Sequence, residues 1–227
     1  MLKSIAYTHH KVRYSFQDPF KQSLPRGSES EPGKLSFRQK NTWDIYAMEK
    51  GREQLNAEWE KFRHFFKREE IPTKTVLLKE GQISERMFYI EKGCIRLSFN
   101  KDGKDITFQF FFEGEGVSSA ESFRNDEPSL FSIETIEPCI LHILHKKDHE
   151  TMIESSPLIK QELEKQTFQR LMYYQKLFLS RIKNSPEERY KELLEQSPHI
   201  LQRVPQHYIA SFLGITSVSL SRIRNRK

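Results

Sequence analysis

The chain has 227 residues and a mass of 27.1 kDa, room for one large domain or two small ones. With 36% hydrophobic and 30% charged residues and a mean hydropathy of −0.71, part of it is expected outside any core. No apolar run approaches the ~20 residues of a membrane-crossing helix, the start lacks the apolar stretch of a secretory signal, and Cys94 and Cys139 alone supply neither a four-thiolate cluster nor a disulfide framework; the expected compartment is the cytoplasm.

The net charge of +6 is unevenly spread. Residues 1–40 hold eight Lys/Arg against three Asp/Glu, residues 184–227 hold seven against four, and the middle holds 22 against 24. Arg222, Arg224, Arg226 and Lys227 crowd the last six residues, a cluster that attracts polyanions or simply forms a solvated tail.

Residues 1–50 read as a poorly ordered extension. Pro19, Pro25, Pro32, Gly27 and Gly33 punctuate a stretch with few apolar residues and no period. From Arg52, Leu55, Trp59, Phe62 and Phe66 recur as one face of a helix bounded by Gly51 and Pro72. Short β-branched and aromatic runs follow: 76–78, 87–90, 95–99, 106–112 and 140–144, with turn signals between them. Asp102-Gly103 is a hairpin signal. Together these predict an antiparallel roll or barrel over residues 73–144. Phe108, Phe110 and Phe112 are expected on one face of their strand and Phe111 on the other.

Residues 157–183 predict one long helix carrying a stripe of Leu163, Leu171, Tyr174, Phe178 and Ile182. A helix that long needs a partner surface; self-pairing in a homodimer supplies one, and packing on its own roll is the alternative. Ser185-Pro186-Glu187-Glu188 marks a new helix start with an N-cap, a first-turn proline and acids at the positive dipole end, and Pro198 is its expected end.

The run Val204–Arg224 divides around Gly214. Pro205 opens a first helix with Ile209, Ala210 and Leu213 inward, and Gly214 supplies the left-handed turn. Thr216 caps a second helix with Leu220 and Ile223 inward and Ser217, Ser221 and Arg222 outward. This is a helix-turn-helix pattern whose second helix suits a DNA major groove. A generic helical hairpin shares its apolar spacing but lacks a reason for the Ala, Gly, capping Thr and arginine-rich end.

The order of β-roll, long helix and helix-turn-helix resembles the Crp/Fnr family of bacterial transcription regulators over roughly residues 52–227. Ser185-Pro186-Glu187-Glu188-Arg189-Tyr190 and Val204–Arg224 look like the branch common in Bacteroidetes-type bacteria, while Glu80-Gly81 and Gly93-Cys94-Ile95-Arg96-Leu97 match the family's roll. The resemblance implies an α+β chain: a cyclic nucleotide-binding-type sensor over 51–156, a dimerisation helix over 157–183 and a DNA-binding unit over 184–227 that ends without a full wing. It further implies a homodimer reading a near-palindromic site on double-stranded DNA, with RNA polymerase as a partner. Ser217, Val218 and Arg222 fall at the base-reading positions: Arg222 could take guanine O6 and N7, Ser217 a base or phosphate, and Val218 a thymine methyl. Thr216, Ser221, Arg224, Arg226 and Lys227 complete the expected DNA-facing set.

The sensor departs from its family. Nucleotide-binding members carry Gly-Glu for the ribose and Arg-Ser for the cyclic phosphate, where this chain has Val117-Ser118 and Pro128-Ser129. Loss of the arginine removes a charge-assisted partner worth on the order of 1.5–3 kcal/mol, so cyclic AMP is not expected. Ser118, Ser119, Glu121 and Ser129 are the candidates for some other small effector; alternatively the roll is only a dimer scaffold.

No enzyme is expected. A Gly-Lys-Ser/Thr loop and a Gly-x-Ser-x-Gly elbow are missing, and Gly114-Glu115-Gly116 lacks the third glycine of a dinucleotide fingerprint. His142, His145 and His149 are expected to be exposed histidines rather than metal ligands, and Cys94 and Cys139 small buried side chains; no cofactor is expected. The alternative function is a ligand-binding signalling module whose terminal helices engage a protein partner.

Overall fold

The computed structural model describes residues 42–225, so the expected extension up to residue 41 and the terminal Arg226 and Lys227 lie outside the described residues. Helix α1 spans Thr42–Lys61, beginning nine residues before Gly51, the expected boundary. Gly51 is tolerated inside the helix, and a Cβ there would meet nothing within 4 Å.

Eight strands follow: β1 Lys67–Ile71, β2 Val76–Leu78, β3 Arg86–Lys92, β4 Ile95–Lys101, β5 Lys104–Phe111, β6 Gly116–Val117, β7 Ser132–Thr135 and β8 Cys139–His145. They form two antiparallel sheets ordered β1-β8-β3-β6 and β2-β7-β4-β5. The Asp102-Gly103 turn joins β4 to β5 with φ of +52° and +79°, the positive values a two-residue hairpin of this twist requires. Alternation along β3 sets the layers. Phe88 and Ile90 point between the sheets with Ile95, Leu97, Ile133, Leu141 and Ile143, whereas Tyr89 points outward to Trp59, Phe66, Met152 and Ile159. Helix α1, helix α3 (Lys146–Ser155) and the start of helix α4 (Pro157–Lys183) thus cover the outer face of the first sheet.

One strand departs from strict alternation. Leu97 pairs with Gln109 and Ser98 with Thr107, so Phe108 has no opposite residue. This bulge changes the phase of β5. Phe108 packs with Phe111 on the inter-sheet core, while Phe110 and Phe112 face the other way, toward the C-terminal helices. The expected grouping of Phe108 with Phe110 and Phe112 is therefore corrected.

Helix α2 is short, Ala120–Asn125, and α4 runs Pro157–Lys183. Ser156 caps α4, its Oγ accepting from the Ile159 N–H at 3.4 Å and donating to Glu58 Oε2 of α1 at 2.8 Å. Helix α5, Pro186–Gln196, opens on a complete capping box between Ser185 and Glu188. Pro198 does more than end α5: it opens helix α6, Pro198–Arg203. Helices α7 (Gln206–Leu213) and α8 (Ser217–Asn225) complete the described chain.

Candidate nucleic-acid interface

Helices α7 and α8 are two short helices joined at a turn around Gly214, where the sequence reading divides the run. Ile209, Ala210, Leu213 and Leu220 are each 1–2% exposed and share a cluster with Leu193, Ile200 and Val204. Gly214, at φ +70°, ends α7 in the left-handed region. Thr216 then caps α8, its Oγ accepting from the Ser219 N–H at 3.1 Å. Leu220 is buried, while Ser217, Val218, Ser221, Arg222 and Arg224 of α8 are exposed to solvent, as is Thr216. Val218 is 62% exposed, which no folding requirement explains. Gln206, at the start of α7, shares a polar depression with Ser221, Arg224 and Asn225. Six of the expected DNA-facing residues are thus exposed.

The carbonyl end of α7 is held by two guanidinium groups. Arg181, in the last turn of α4, donates to the Phe212 carbonyl, and Arg189 of α5 donates to the Leu213 carbonyl at 2.8 Å. The partial negative charge of a helix C-terminus favours cations there. Desolvation first, and then the neighbouring Arg189 charge, lower the Arg181 pKa, although the residue as a whole is exposed.

Helices α6 and α7 are also docked on the second sheet of the roll. Ser211 Oγ accepts from the Thr107 N–H of β5 at 2.9 Å, and the Phe212 ring lies 5.4 Å from that of Phe110. Arg96 is 5% exposed and held by Glu134, Asp105 and Thr107; its guanidinium sits 4.1 Å from the Tyr208 ring centroid. Arg203 of α6 reaches Glu113 and Glu137. Burial would raise the Glu113 carboxyl, but the Arg203 hydrogen bonds and the Gly93 N–H outweigh it and hold the group at about 2.

In the roll, Ser118, Ser119 and Glu121 stand at the start of α2, and Ser129 is joined there to Ser119. Ser119 and Ser129 are 2% and 3% exposed and bonded to each other at 2.8 Å; the Ser129 hydroxyl also donates to the Phe131 carbonyl at 2.7 Å. Glu121 is exposed, as is Pro128 at the position where an arginine would meet a phosphate. Nearby, Arg170 of α4 donates to the Gly116 carbonyl at 2.8 Å and covers the Phe111 ring, and Tyr173 hydrogen-bonds Gln109. Helix α4 thereby fills its own junction with the roll. Sequence reasoning gave Arg96 no partner and singled out none of Arg170, Arg181 or Arg203. Their partners are distant in the chain, so no local pattern marks them.

Along α4, Leu171, Phe178 and Ile182 are 57–66% exposed and Tyr174 lies at the edge of this stripe. Phe168, which the sequence reading omitted, extends it. Leu163 is corrected: it packs on the chain's own Trp59–Ile159 cluster and leaves the stripe.

His142 corrects the expectation of exposed histidines. It is 8% exposed with Nε2 2.8 Å from Glu91, which Arg68 also engages. Among the described residues no group of three His, Cys, Asp or Glu could hold a metal ion, and no helix is long and apolar enough to cross a membrane. Cys94 and Cys139 are free and buried; desolvation raises both thiols, that of Cys139 to about 11.

Residues 68–156 match the family model described as the cyclic nucleotide-binding domain. Comparison with curated proteins gives no match. Among solved structures, the chain is similar to the c-di-GMP-responsive global regulator CLP of Xanthomonas campestris, at 16% identity, over 74% of this chain and 88% of that one, with a TM-score of 0.59. FixK2 of Bradyrhizobium japonicum matches at 16% identity over 70% and 82%, with a TM-score of 0.61. A transcriptional regulator of the crp/fnr family from Eubacterium rectale matches at 15% over 74% and 80%, with a TM-score of 0.59. At these identities the shared property is the fold, and it includes the helical C-terminus as well as the roll.

Proposed function

We propose that this chain is a DNA-binding transcription regulator of Crp/Fnr type, working in the cytoplasm as a homodimer that reads a near-palindromic duplex through α8. The observation that carries the reading is the outer side of α8. It offers two arginines, two serines and an exposed valine around a fully buried Leu220, so its shape and chemistry suit base edges and phosphates rather than a protein core. The exposed stripe Phe168, Leu171, Phe178 and Ile182 supports pairing of two α4 helices. Pairing would bring two reading helices to successive half-sites. The fold shared with known regulators supports the same conclusion; RNA polymerase is the proposed downstream partner. The roll takes no cyclic AMP; an effector, where one acts, is a different small molecule.

The test is selection of bound duplexes from random-sequence DNA followed by polarisation titration. Affinity should fall steeply with salt. Arg222→Ala should cost about 1–3 kcal/mol at the selected site and relax one base position. Unchanged specificity in that variant would reject α8 as the reading helix.

A further inference from the structure

We infer that Arg181 is a positioning residue for DNA reading: from the end of α4 it clamps the carbonyl end of α7 and so fixes the angle between the pairing helix and the recognition helix. The inference rests on the reading of α8 given above. Its geometric basis is a junction in which three helices meet at two guanidinium groups. The Arg181 guanidinium donates to the Phe212 carbonyl and lies 5.8 Å from the Phe212 ring centroid. Arg189 donates to the next carbonyl, Leu213, at 2.8 Å and to the Asn184 carbonyl, one residue past α4, at 2.6 Å. Neither arginine has a carboxylate ion pair among the described residues, so helix-end carbonyls are their main acceptors.

The covalent link is weak by comparison. Only Asn184 and Ser185 separate α4 from α5, and beyond them the helices are held by the two arginines and by the docking of α6 and α7 on the roll. Asn184 is tied locally through its Nδ2 to Ser180 and Glu192, which orders the link without engaging α7. Arg181 is a polar contact from α4 itself to the turn that carries α8, beside Leu177 of α4, which packs on the same C-terminal cluster. The turn is shaped for it: a Cβ on Gly214 would stand 3.1 Å from an Arg181 amino nitrogen. Helix α8 begins three residues later, so a shift at this clamp moves the reading surface directly.

In a two-fold pair, the spacing between half-sites is set by the rigidity of the α4-to-α8 connection. Each added base pair turns the second half-site by about a tenth of a helical turn. A clamped protein tolerates that poorly, and an unclamped one follows it. The experiment uses the full chain and duplexes carrying two copies of the half-site that the wild-type chain selects, with spacers shortened or lengthened by one or two base pairs. Wild-type protein should show a sharp optimum. R181M should lose roughly tenfold in affinity at that optimum, while its penalty for a one-base-pair change falls by about threefold or more. Its preference for bases within the half-site should stay. R181K keeps the charge without the planar fork and should fall between the two.

A folded, dimeric R181M that retains the wild-type spacing profile would overturn the inference. So would one that loses affinity equally at every spacing, which is what a merely structural residue would give. Should R181M fail to fold, R181K decides: intermediate broadening supports the clamp and a wild-type profile rejects it. Failure of the wild-type chain to bind any duplex would instead overturn the reading of α8, and the positioning role with it.

Discussion

Arg203 and Glu113 stand 90 positions apart in the chain and face each other through two hydrogen bonds of 2.8 Å, joining the helical unit to the roll. A planar fork on a carboxylate is the strongest geometry such a pair can take, but both groups are partly solvated and the gain is screened. A double-mutant cycle with Arg203→Ala and Glu113→Ala should give a coupling of about 0.5–3 kcal/mol in chemical denaturation. The pH dependence has a fixed sign. The Glu113 carboxyl sits at about 2 in the folded chain and near its ordinary value of roughly 4.3 when unfolded. The pair therefore stabilises fully above the unfolded value and loses its contribution as pH falls from there toward about 2. Glu113→Gln should flatten this part of the stability profile; an unchanged slope would remove the ion pair from the account of the joint.

The exposed stripe on α4 leads to an equally direct expectation. Burying an aromatic side chain such as Phe178, 65% exposed in the single chain, gains about 1.5–3 kcal/mol. Phe178→Glu should convert a dimer into a monomer in sedimentation at micromolar concentration. Because the residue contributes little to the chain's own core, helical content by circular dichroism should persist. A variant that stays dimeric would place the pairing surface elsewhere.

Much of the roll and of the helical hairpin was legible in the sequence because their signals are local. The Asp102-Gly103 turn, the Ser185 cap and the Ile209–Leu213–Leu220 face each depend on residues within one turn or one hairpin. What escaped was non-local. The bulge at Phe108 is fixed by pairing with β4, and it turns Phe110 and Phe112 toward the C-terminal helices, reversing a phase that simple alternation would assign. The short strands β1, β6 and β7 lack apolar runs and form because longer neighbours supply their hydrogen bonds. Leu163 reads as part of the α4 stripe until α1 is placed beside it. The surface of α8 was predictable residue by residue, whereas the two arginines behind it were not.

Cyclic AMP should leave the thermal midpoint of the protein unchanged at millimolar concentration. A ligand at a hundred times its dissociation constant stabilises the folded state by about 2.7 kcal/mol, which a melting curve resolves easily. The residues near α2 give an anionic phosphate no cationic partner at position 128, and the Ser129 hydroxyl is already engaged by Phe131 and Ser119. A saturable rise in midpoint would show that another cation, such as Arg170, turns to meet the phosphate and that the roll senses a nucleotide after all.

Gly214 separates two causes of strain that act at one residue. At φ +70°, an alanine pays the left-handed backbone penalty of about 1–2 kcal/mol, whereas asparagine adopts that region more readily. Both side chains, however, bring a Cβ to 3.1 Å from the Arg181 amino nitrogen. If backbone conformation dominates, Gly214→Asn should be clearly more stable than Gly214→Ala in thermal or urea unfolding. If crowding of the arginine dominates, the two should be equally destabilised, and truncating Arg181 to Ala should recover part of the loss in both. The comparison of these four variants thus measures, without any DNA present, how firmly the long helix grips the turn that leads into α8.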